Sequence, residues 1–288
     1  MKLGLALPQF GPLADATRIA GFAAAAEQLG YASLWVGDRL LTPLQPSDPY
    51  PGRQQPYPPE FTTGLDPLVT LAAAATSTST VRLSSSTLNA PWHNPVLLGR
   101  SLTSLDQLSG GRLDVGIGLG WMRDEYDAVG VDWSSRGARL DEMLEVWRLM
   151  WTENPVAHDG RYFTMTTSAM DLKPVQPGGP PLLFGAMTPA GMARVGRRGA
   201  GWLAVQGLPP AYEQKLWATA VQAAEAAGRD PTALRRVLRI NNPPGGTAVT
   251  AKAAIAAAAE AGLDEAFVDL TFSSRSVDEA LDVATALI

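Results

Sequence analysis

Short apolar runs alternate with amphipathic helical patterns along the whole chain, and this alternation constrains the fold more than any other feature of the sequence. Eight runs are typical of strands and cover residues 2–8, 32–37, 81–88, 112–119, 181–185, 201–205, 236–241 and 265–271. Eight helical stripes lie between and after them, at residues 19–26, 66–78, 94–109, 136–151, 189–198, 210–227, 249–261 and 277–287.

This order of elements predicts the fold class. Eight strands, each followed by a helix, in a chain of 288 residues are the pattern of an α/β fold, the closed (β/α)8 TIM barrel. A doubly wound open sheet alternates in the same way, but it usually has fewer strands and a nucleotide fingerprint near its start. We therefore expect a single barrel domain over residues 1–288.

Two long loops interrupt the alternation. Residues 42–65 follow the second strand and contain seven prolines, and residues 152–180 follow the fourth helix. The first loop leaves the carboxyl end of a strand, where the active sites of barrels lie, so we expect it to be a lid. The second, with a hairpin turn expected at Asp159-Gly160, is either a structural or dimer-forming insertion or a functional loop.

Composition excludes several classes of function. The absence of cysteine excludes disulfides, thiolate catalysis and cysteine-based zinc sites. The net charge is −5 and the basic residues are scattered, which argues against a nucleic-acid partner. No run approaches the roughly 18 apolar residues of a membrane helix, so we expect a cytoplasmic protein without membrane contact. The two histidines, His93 and His158, are too far apart to indicate a metal site; we expect His93 to be structural and His158 to be exposed.

The fourth strand carries glycine at every second position, at Gly116, Gly118 and Gly120. These residues share one face of the strand because side chains alternate with a period of two. Either the bare face accommodates bulky neighbours, or it clears space for a planar ligand. The third strand ends in hydroxyl residues from Ser84 to Thr87, which are costly in a buried strand unless they are hydrogen-bonded.

Two further places could carry chemistry. The strand before residue 186 ends at Gly185, and Thr188 and Pro189 suit the start of a helix whose N–H groups could bind a phosphate. Asp38 and Arg39 follow the second strand, where they could be catalytic, bind substrate or pair with each other.

Residues 105–163, "LDQLSGGRLDVGIGLGWMRDEYDAVGVDWSSRGARLDEMLEVWRLMWTENPVAHDGRYF", resemble the signature region of the bacterial luciferase-like family, with the coenzyme F420-dependent oxidoreductases as the best match. The likeness extends to "GLALPQFGP" at the start, "GYASLWVGDRL" at 30–40, "LDPLVTLAAAAT" at 65–76 and "AGLDEAFVDLT" at 261–271. The family fold is a (β/α)8 barrel, which agrees with the strand count.

The resemblance implies a set of cofactor-binding residues. It implies a non-prolyl cis bond between Ser86 and Thr87, behind the deazaflavin or flavin ring. The other residues that it implies are Asp38 at the ring edge, Leu119, Gly120 and Asp124 along the cofactor, and Gly185, Ala186, Met187 and Thr188 in a phosphate-binding turn. The chain departs from the family in three places: Arg39 replaces a frequent histidine, Met187 and Thr188 replace glycines, and Ala200 replaces an aspartate.

The expected function is therefore transfer of a hydride between coenzyme F420 and a small organic substrate, with Asp38 and Arg39 as catalytic residues. One alternative is an FMN-dependent monooxygenase that uses reduced flavin and oxygen, and another is a non-catalytic flavin-binding barrel. Trp121 could form an apolar wall of the site or be structural. Members of this family often form dimers, so the resemblance implies a homodimer.

Overall fold

Eight parallel strands close into a barrel in the computed structural model, which describes residues 1–51, 57–263 and 265–288. The strands of these residues are β1 (Lys2–Ala6), β2 (Ser33–Val36), β3 (Arg82–Ser85), β4 (Leu88–Asn89), β5 (Leu113–Gly118), β6 (Val156–Asp159), β7 (Thr164–Ser168), β8 (Leu182–Gly185), β9 (Gly201–Val205), β10 (Arg235–Asn241) and β11 (Glu265–Asp269). The wall runs β1, β2, β3, β5, β8, β9, β10, β11 and back to β1. The TIM barrel and all eight predicted strands are confirmed.

Helices cover the outside of the barrel. In the described residues they are α1 (Ile19–Gln28), α2 (Pro67–Ser77), α3 (Pro95–Leu108), α4 (Arg123–Ala128), α5 (Arg136–Thr152), α6 (Pro189–Arg198), α7 (Pro210–Ala226), α8 (Ala248–Glu260) and α9 (Val277–Leu287). All except α4 were expected from their apolar stripes. α4 has six residues and a charged sequence, so it carries no helical stripe. Within the described ranges, no helix has the length and apolar character needed to cross a bilayer.

The third barrel strand is split at Ser86 and Thr87. Its first part, β3, pairs with β5 through Leu83 and Leu113, and its second part, β4, pairs with β5 through Leu88 and Ile117. Ser86 and Thr87 lie between the two ladders, at the carboxyl end of the barrel. The interruption therefore lies at the end where barrel enzymes carry their active sites.

Most of the core lies between the sheet and the helices, and a second core fills the barrel. The inner core consists of Trp35, Leu183, Leu203, Val237 and Phe267. The rings of Trp35 and Phe267 stack with their centroids 4.4 Å apart and 8° between their planes. The barrel interior is thus packed rather than hollow, and a ligand can enter only at its ends.

The opposite, amino-terminal end of the barrel holds a network of charges centred on Asp114, whose side chain is 1% exposed. Its carboxylate accepts hydrogen bonds from Arg82 Nη2 at 2.5 Å and from Arg235 Nη1 at 2.9 Å. Arg235 also binds Glu265 through two contacts of 2.8 Å. Because the active sites of barrel enzymes lie at the carboxyl end, we regard this network at the amino-terminal end as structural.

Glu27, at the end of α1, anchors the segment that leads into β3. Its carboxylate accepts hydrogen bonds from the backbone N–H groups of Ser79, Thr80 and Val81, at 2.9, 2.6 and 2.8 Å. Gly30 follows as the expected C′ residue, with a φ of 92°. Burial alone would raise the pKa of Glu27, but these N–H groups lower it to about 2.

Replacing Glu27 with glutamine is expected to destabilise the protein at pH 7 by about 1–3 kcal/mol, because an amide cannot accept all of these hydrogen bonds. The folded carboxyl has a pKa of about 2 against 4.5 when unperturbed. Its contribution is therefore present above pH 4.5 and is lost as the pH falls towards 2. Urea unfolding of both proteins at several pH values measures this; a difference that does not shrink in acid would contradict it.

The second long loop forms a hairpin against α5. β6 and β7 pair antiparallel, with Asp159 opposite Thr164, so the expected turn starts at Asp159-Gly160 and spans residues 160–163. His158 was expected to be exposed, and that was wrong. Its side chain is 12% exposed and its Nε2 lies 3.3 Å from Glu142 of α5, because the hairpin folds back on the helix.

Candidate active site

Asp38 lies two residues beyond β2, at the carboxyl end of the barrel. Its Oδ2 accepts a hydrogen bond from the backbone N–H of Asn89 at 2.8 Å, and Asn89 Nδ2 donates to the Asp38 carbonyl at 3.2 Å. Burial raises the pKa of Asp38, although the Asn89 N–H and the nearby His93 and Arg39 act in the opposite direction. Burial therefore favours the protonated form of this carboxyl.

Arg39 points to a different partner. Its Nη1 lies 3.3 Å from Glu125 Oε2 in α4, and their side chains are 9% and 0% exposed. Asp38 and Arg39 therefore do not pair with each other, which was one of the options left by the sequence. Burial raises the pKa of Glu125 to about 6, against the influence of Arg39 and of the Leu40 N–H. Glu125 could not be singled out from the sequence, because it lies in a short charged helix without an apolar stripe.

The Ser86–Thr87 peptide bond is cis, as the resemblance implied. Ser86 donates its N–H to the Val36 carbonyl at 2.7 Å, and its own carbonyl accepts from Arg239 Nη1 at 2.9 Å. Arg239 in turn forms an ion pair with the buried Asp269. Arg239 is thus a cation inside the mouth of the barrel that the sequence analysis missed.

The hydroxyls of the third strand are buried, and their partners differ. Ser85 Oγ donates to the Gly116 carbonyl at 2.9 Å and accepts from the Gly116 N–H at 3.0 Å. Ser84 Oγ is buried and makes no hydrogen bond within the described residues. Ser85 thus has the hydrogen bonds that a buried hydroxyl requires.

The glycines of β5 make room for the segment that contains the cis bond. A Cβ on Gly116 would lie 1.7 Å from the Ser85 carbonyl oxygen, and one on Gly118 would lie 2.3 Å from Thr87 Oγ1. A Cβ on Gly185, at the end of β8, would lie 2.9 Å from Thr87 Cγ2. Close packing therefore accounts for Gly116 and Gly118. Gly120 lies beyond the strand with a φ of 69°, so backbone conformation favours glycine there.

The expected phosphate-binding turn, Gly185–Thr188, is exposed apart from the half-buried Ala186. Thr188 caps α6 by accepting a hydrogen bond from the Gly191 N–H at 3.3 Å. The carbonyls of Ala186 and Met187 accept from Trp202 Nε1 and Tyr212 Oη, at 2.8 and 2.9 Å. The carbonyls of the turn are therefore hydrogen-bonded to side chains. The N-terminus of α6 faces outwards, where its N–H groups can bind an anion.

The described parts of the first loop, residues 42–51 and 57–65, lie over the mouth. Ser47 donates its N–H and hydroxyl to Asp124 at 2.9 and 3.0 Å, and Asp48 accepts from the Arg123 N–H at 2.9 Å. Asp124 thus fastens the loop to α4, and its expected position along the cofactor stays a prediction. Residues 52–56 of this expected lid lie outside the described residues.

Four aromatic rings meet between the loop and the end of β5; we call Tyr50, Tyr57, Phe61 and Trp121 the aromatic cluster. The ring centroids of Tyr50 and Tyr57 both lie 5.4 Å from that of Trp121, and Tyr50 lies 5.7 Å from Phe61. Trp121 is therefore part of a wall at the mouth. Leu119 precedes it, and its carbonyl accepts a hydrogen bond from the Tyr126 hydroxyl.

Comparison with known proteins identifies a family model and a relative that match most of the chain. The family model described as "Luciferase-like monooxygenase" matches residues 1–258. An uncharacterised protein of Mycobacterium tuberculosis is 32% identical over 212 residues, which cover 71% of this chain and 73% of that protein.

Two solved structures superpose on almost the whole chain. The monooxygenase RslO1 from Streptomyces bottropensis has a TM-score of 0.82 at 23% identity and covers 99% of this chain and 96% of its own. An F420-dependent secondary alcohol dehydrogenase, solved with an F420-acetone adduct, has a TM-score of 0.77 at 20% identity and covers 100% and 98%. At these identities the structures show the fold alone.

Proposed function

Because the chain belongs to the family of luciferase-like monooxygenases, we propose that it is an oxidoreductase that transfers a hydride between the deazaflavin coenzyme F420 and a small organic substrate. The observation that carries this proposal is the mouth of the barrel. There the Ser86–Thr87 segment lies against Gly116 and Gly118 of β5, and the exposed start of α6 opens at the same end.

These residues fit a cofactor with a flat ring and a phosphate. The turn from Gly185 to Thr188 would hold the phosphate through backbone N–H groups, with its carbonyls already bound elsewhere. Asp38 and the Ser86–Thr87 segment would lie against the ring. When bound, the deazaflavin would supply the hydride chemistry at its C5 atom.

The protein's own groups would manage the substrate and its proton. Arg39 stays charged at all working pH values, so it can bind and polarise a substrate oxygen but cannot exchange a proton. Asp38, whose pKa is raised by burial, would hold that proton on its carboxyl oxygen. The loop fastened to α4 would exclude water from the mouth.

Equilibrium binding of the purified protein to oxidised F420 and, in parallel, to FMN tests the proposal. We expect micromolar or tighter binding of F420, and FMN at least about tenfold weaker. Binding of F420 followed by turnover with a panel of alcohols and ketones would establish an oxidoreductase. Binding of neither cofactor would refute it.

An FMN-dependent monooxygenase is the second candidate. It is favoured by the family model, which describes monooxygenases. This candidate predicts a preference for FMN and substrate-dependent consumption of oxygen when a reductase supplies reduced flavin. The F420 proposal predicts neither.

Replacing Met187 with glutamate is expected to weaken the binding of either cofactor about tenfold, because a carboxylate in the proposed phosphate turn repels the phosphate. Met187 is 49% exposed, so the change leaves the fold intact. The matched control is Met187→Gln, which has the same size and no charge and is expected to bind as the wild type does. If the two variants bound the cofactor with equal affinity, the cofactor's phosphate would not bind at this turn.

A further inference from the structure

The Arg39 guanidinium is buried and stacked between rings. Its Cζ lies 4.6 Å from the centroid of Trp121 and 5.5 Å from that of Phe61. Tyr50 and Tyr57 pack against Trp121 on the other side of the aromatic cluster. The cation therefore lies inside an aromatic enclosure, where its interaction with the rings is strongest because water is excluded.

This guanidinium lacks the acceptors that a buried arginine normally has. Among the described residues, its contacts with polar atoms are one ion pair with Glu125 Oε2 at 3.3 Å and one contact with Met122 Sδ at 4.0 Å. Glu125 Oε2 itself makes no hydrogen bond within the described residues. An arginine offers five N–H donors in a planar fork, so most of the donors of Arg39 are left for a ligand to bind.

Given the proposed oxidoreductase function, we propose that the substrate is a planar, conjugated organic anion, whose oxyanion binds Arg39 and whose ring system packs within the aromatic cluster. A planar oxyanion matches the guanidinium fork in a bidentate contact. The rings of Tyr50, Tyr57, Phe61 and Trp121 supply flat, apolar contact area next to that fork.

Glu125 makes the binding of such an anion dependent on pH. The charged and titratable groups that face Arg39 are Glu125, Asp38, Tyr50 and Tyr57; those that face Glu125 are Arg39 and Asp38, with N–H donors from Leu40 and Leu41. Burial raises the pKa of Glu125 to about 6. Below that pH the neutral carboxyl no longer competes for Arg39, so an anion binds more tightly and its binding takes up a proton.

The probe is 2-naphthalenesulfonate, which is planar and stays ionised, and its binding is followed by calorimetry and by the fluorescence of the protein's tryptophans. Its controls are 2-naphthalenemethanol, which is planar and neutral, and cyclohexanesulfonate, which is charged and not planar. We expect the probe to bind at least about tenfold more tightly than either control, and about tenfold more tightly at pH 5.5 than at pH 7.5. Equal binding of the three compounds, or no binding of any, would overturn the proposal.

Variants separate the anion site from general affinity for rings. Arg39→Met is expected to lose the preference for the probe over the neutral control. Since that change leaves Glu125 buried and unpaired, the double variant Arg39→Met/Glu125→Gln serves if the single variant does not fold. Glu125→Gln is expected to bind the probe at pH 7.5 as tightly as the wild type does at pH 5.5, without proton uptake. If the Arg39 variants kept the wild-type preference for the probe over the neutral control, the proposal would be overturned.

A failure of this substrate proposal can be distinguished from a failure of the proposed function. Probe binding is measured without cofactor, and cofactor binding is measured without probe. Probe binding through Arg39 in a protein that binds neither F420 nor FMN would refute the oxidoreductase and leave an anion site. Cofactor binding without a preference for the probe would refute the substrate class and leave the oxidoreductase.

Discussion

Replacing Gly116 with alanine is expected to lower the free energy of unfolding by about 3 kcal/mol or more, because the new methyl group has no room. Its Cβ would lie 1.7 Å from the Ser85 carbonyl oxygen and 2.6 Å from Leu203 Cδ1. The first of these atoms belongs to the backbone of the neighbouring strand and cannot rotate away. The barrel must therefore open between β3 and β5 to accept the change.

The control is Gly21→Ala in the first turn of α1. Nothing lies within 4 Å of a Cβ at Gly21, so this alanine is expected to stabilise the helix by about 0.5–1 kcal/mol. Urea unfolding of the two variants at one pH measures both effects. An ordinary surface substitution changes the free energy of unfolding by less than about 1 kcal/mol. If Gly116→Ala changed it by no more than that, the close approach of Ser85 to β5 would be wrong.

Replacing Asp114 with alanine is expected to cost about 3–5 kcal/mol, because it leaves two guanidinium groups without their buried carboxylate. Arg82 Nη2 lies 2.5 Å and Arg235 Nη1 2.9 Å from its oxygens. Arg235 keeps Glu265, so the loss is expected to be greatest at Arg82. Thermal and urea unfolding measure the change.

A matched comparison uses the exposed pair of Arg18 and Asp278. Asp278→Ala removes an ion pair of the same type from a position in solvent, where screening leaves little net effect. We expect its unfolding midpoint to remain close to that of the wild type. A similar loss in both variants would mean that burial of Asp114 does not set the energy of its network.

The barrel could be predicted from sequence because its signals are local and repeated. Each strand is a short apolar run, and each covering helix buries a stripe with a period of 3.6 residues. The one missed helix, α4, has six residues of which four are charged, and its position is set by contacts with the loop at Ser47 and Asp48. Those contacts join residues about 75 positions apart, which no local pattern reports.

The candidate site could be predicted only in part, for the same reason. Asp38 followed from its position after the second strand and the Ser86–Thr87 bond from the resemblance, and the structure places both at the mouth. The partners of Arg39 could not be predicted, since Trp121 and Glu125 reach it from one distant segment and Phe61 from another. Asp124 has a further role that no local pattern reports, because it accepts hydrogen bonds from Ser47 of the loop.

Thr87 is enclosed by β5 and β8, two paired strands that both follow it in the chain. Its hydroxyl side fills the space at Gly118, and its methyl side fills the space at Gly185. These three positions therefore share one volume, and a larger side chain at any of them requires a smaller one elsewhere. In a library that varies all three, the folded members should be combinations of nearly constant total volume, and single substitutions should misrepresent which residues the position tolerates.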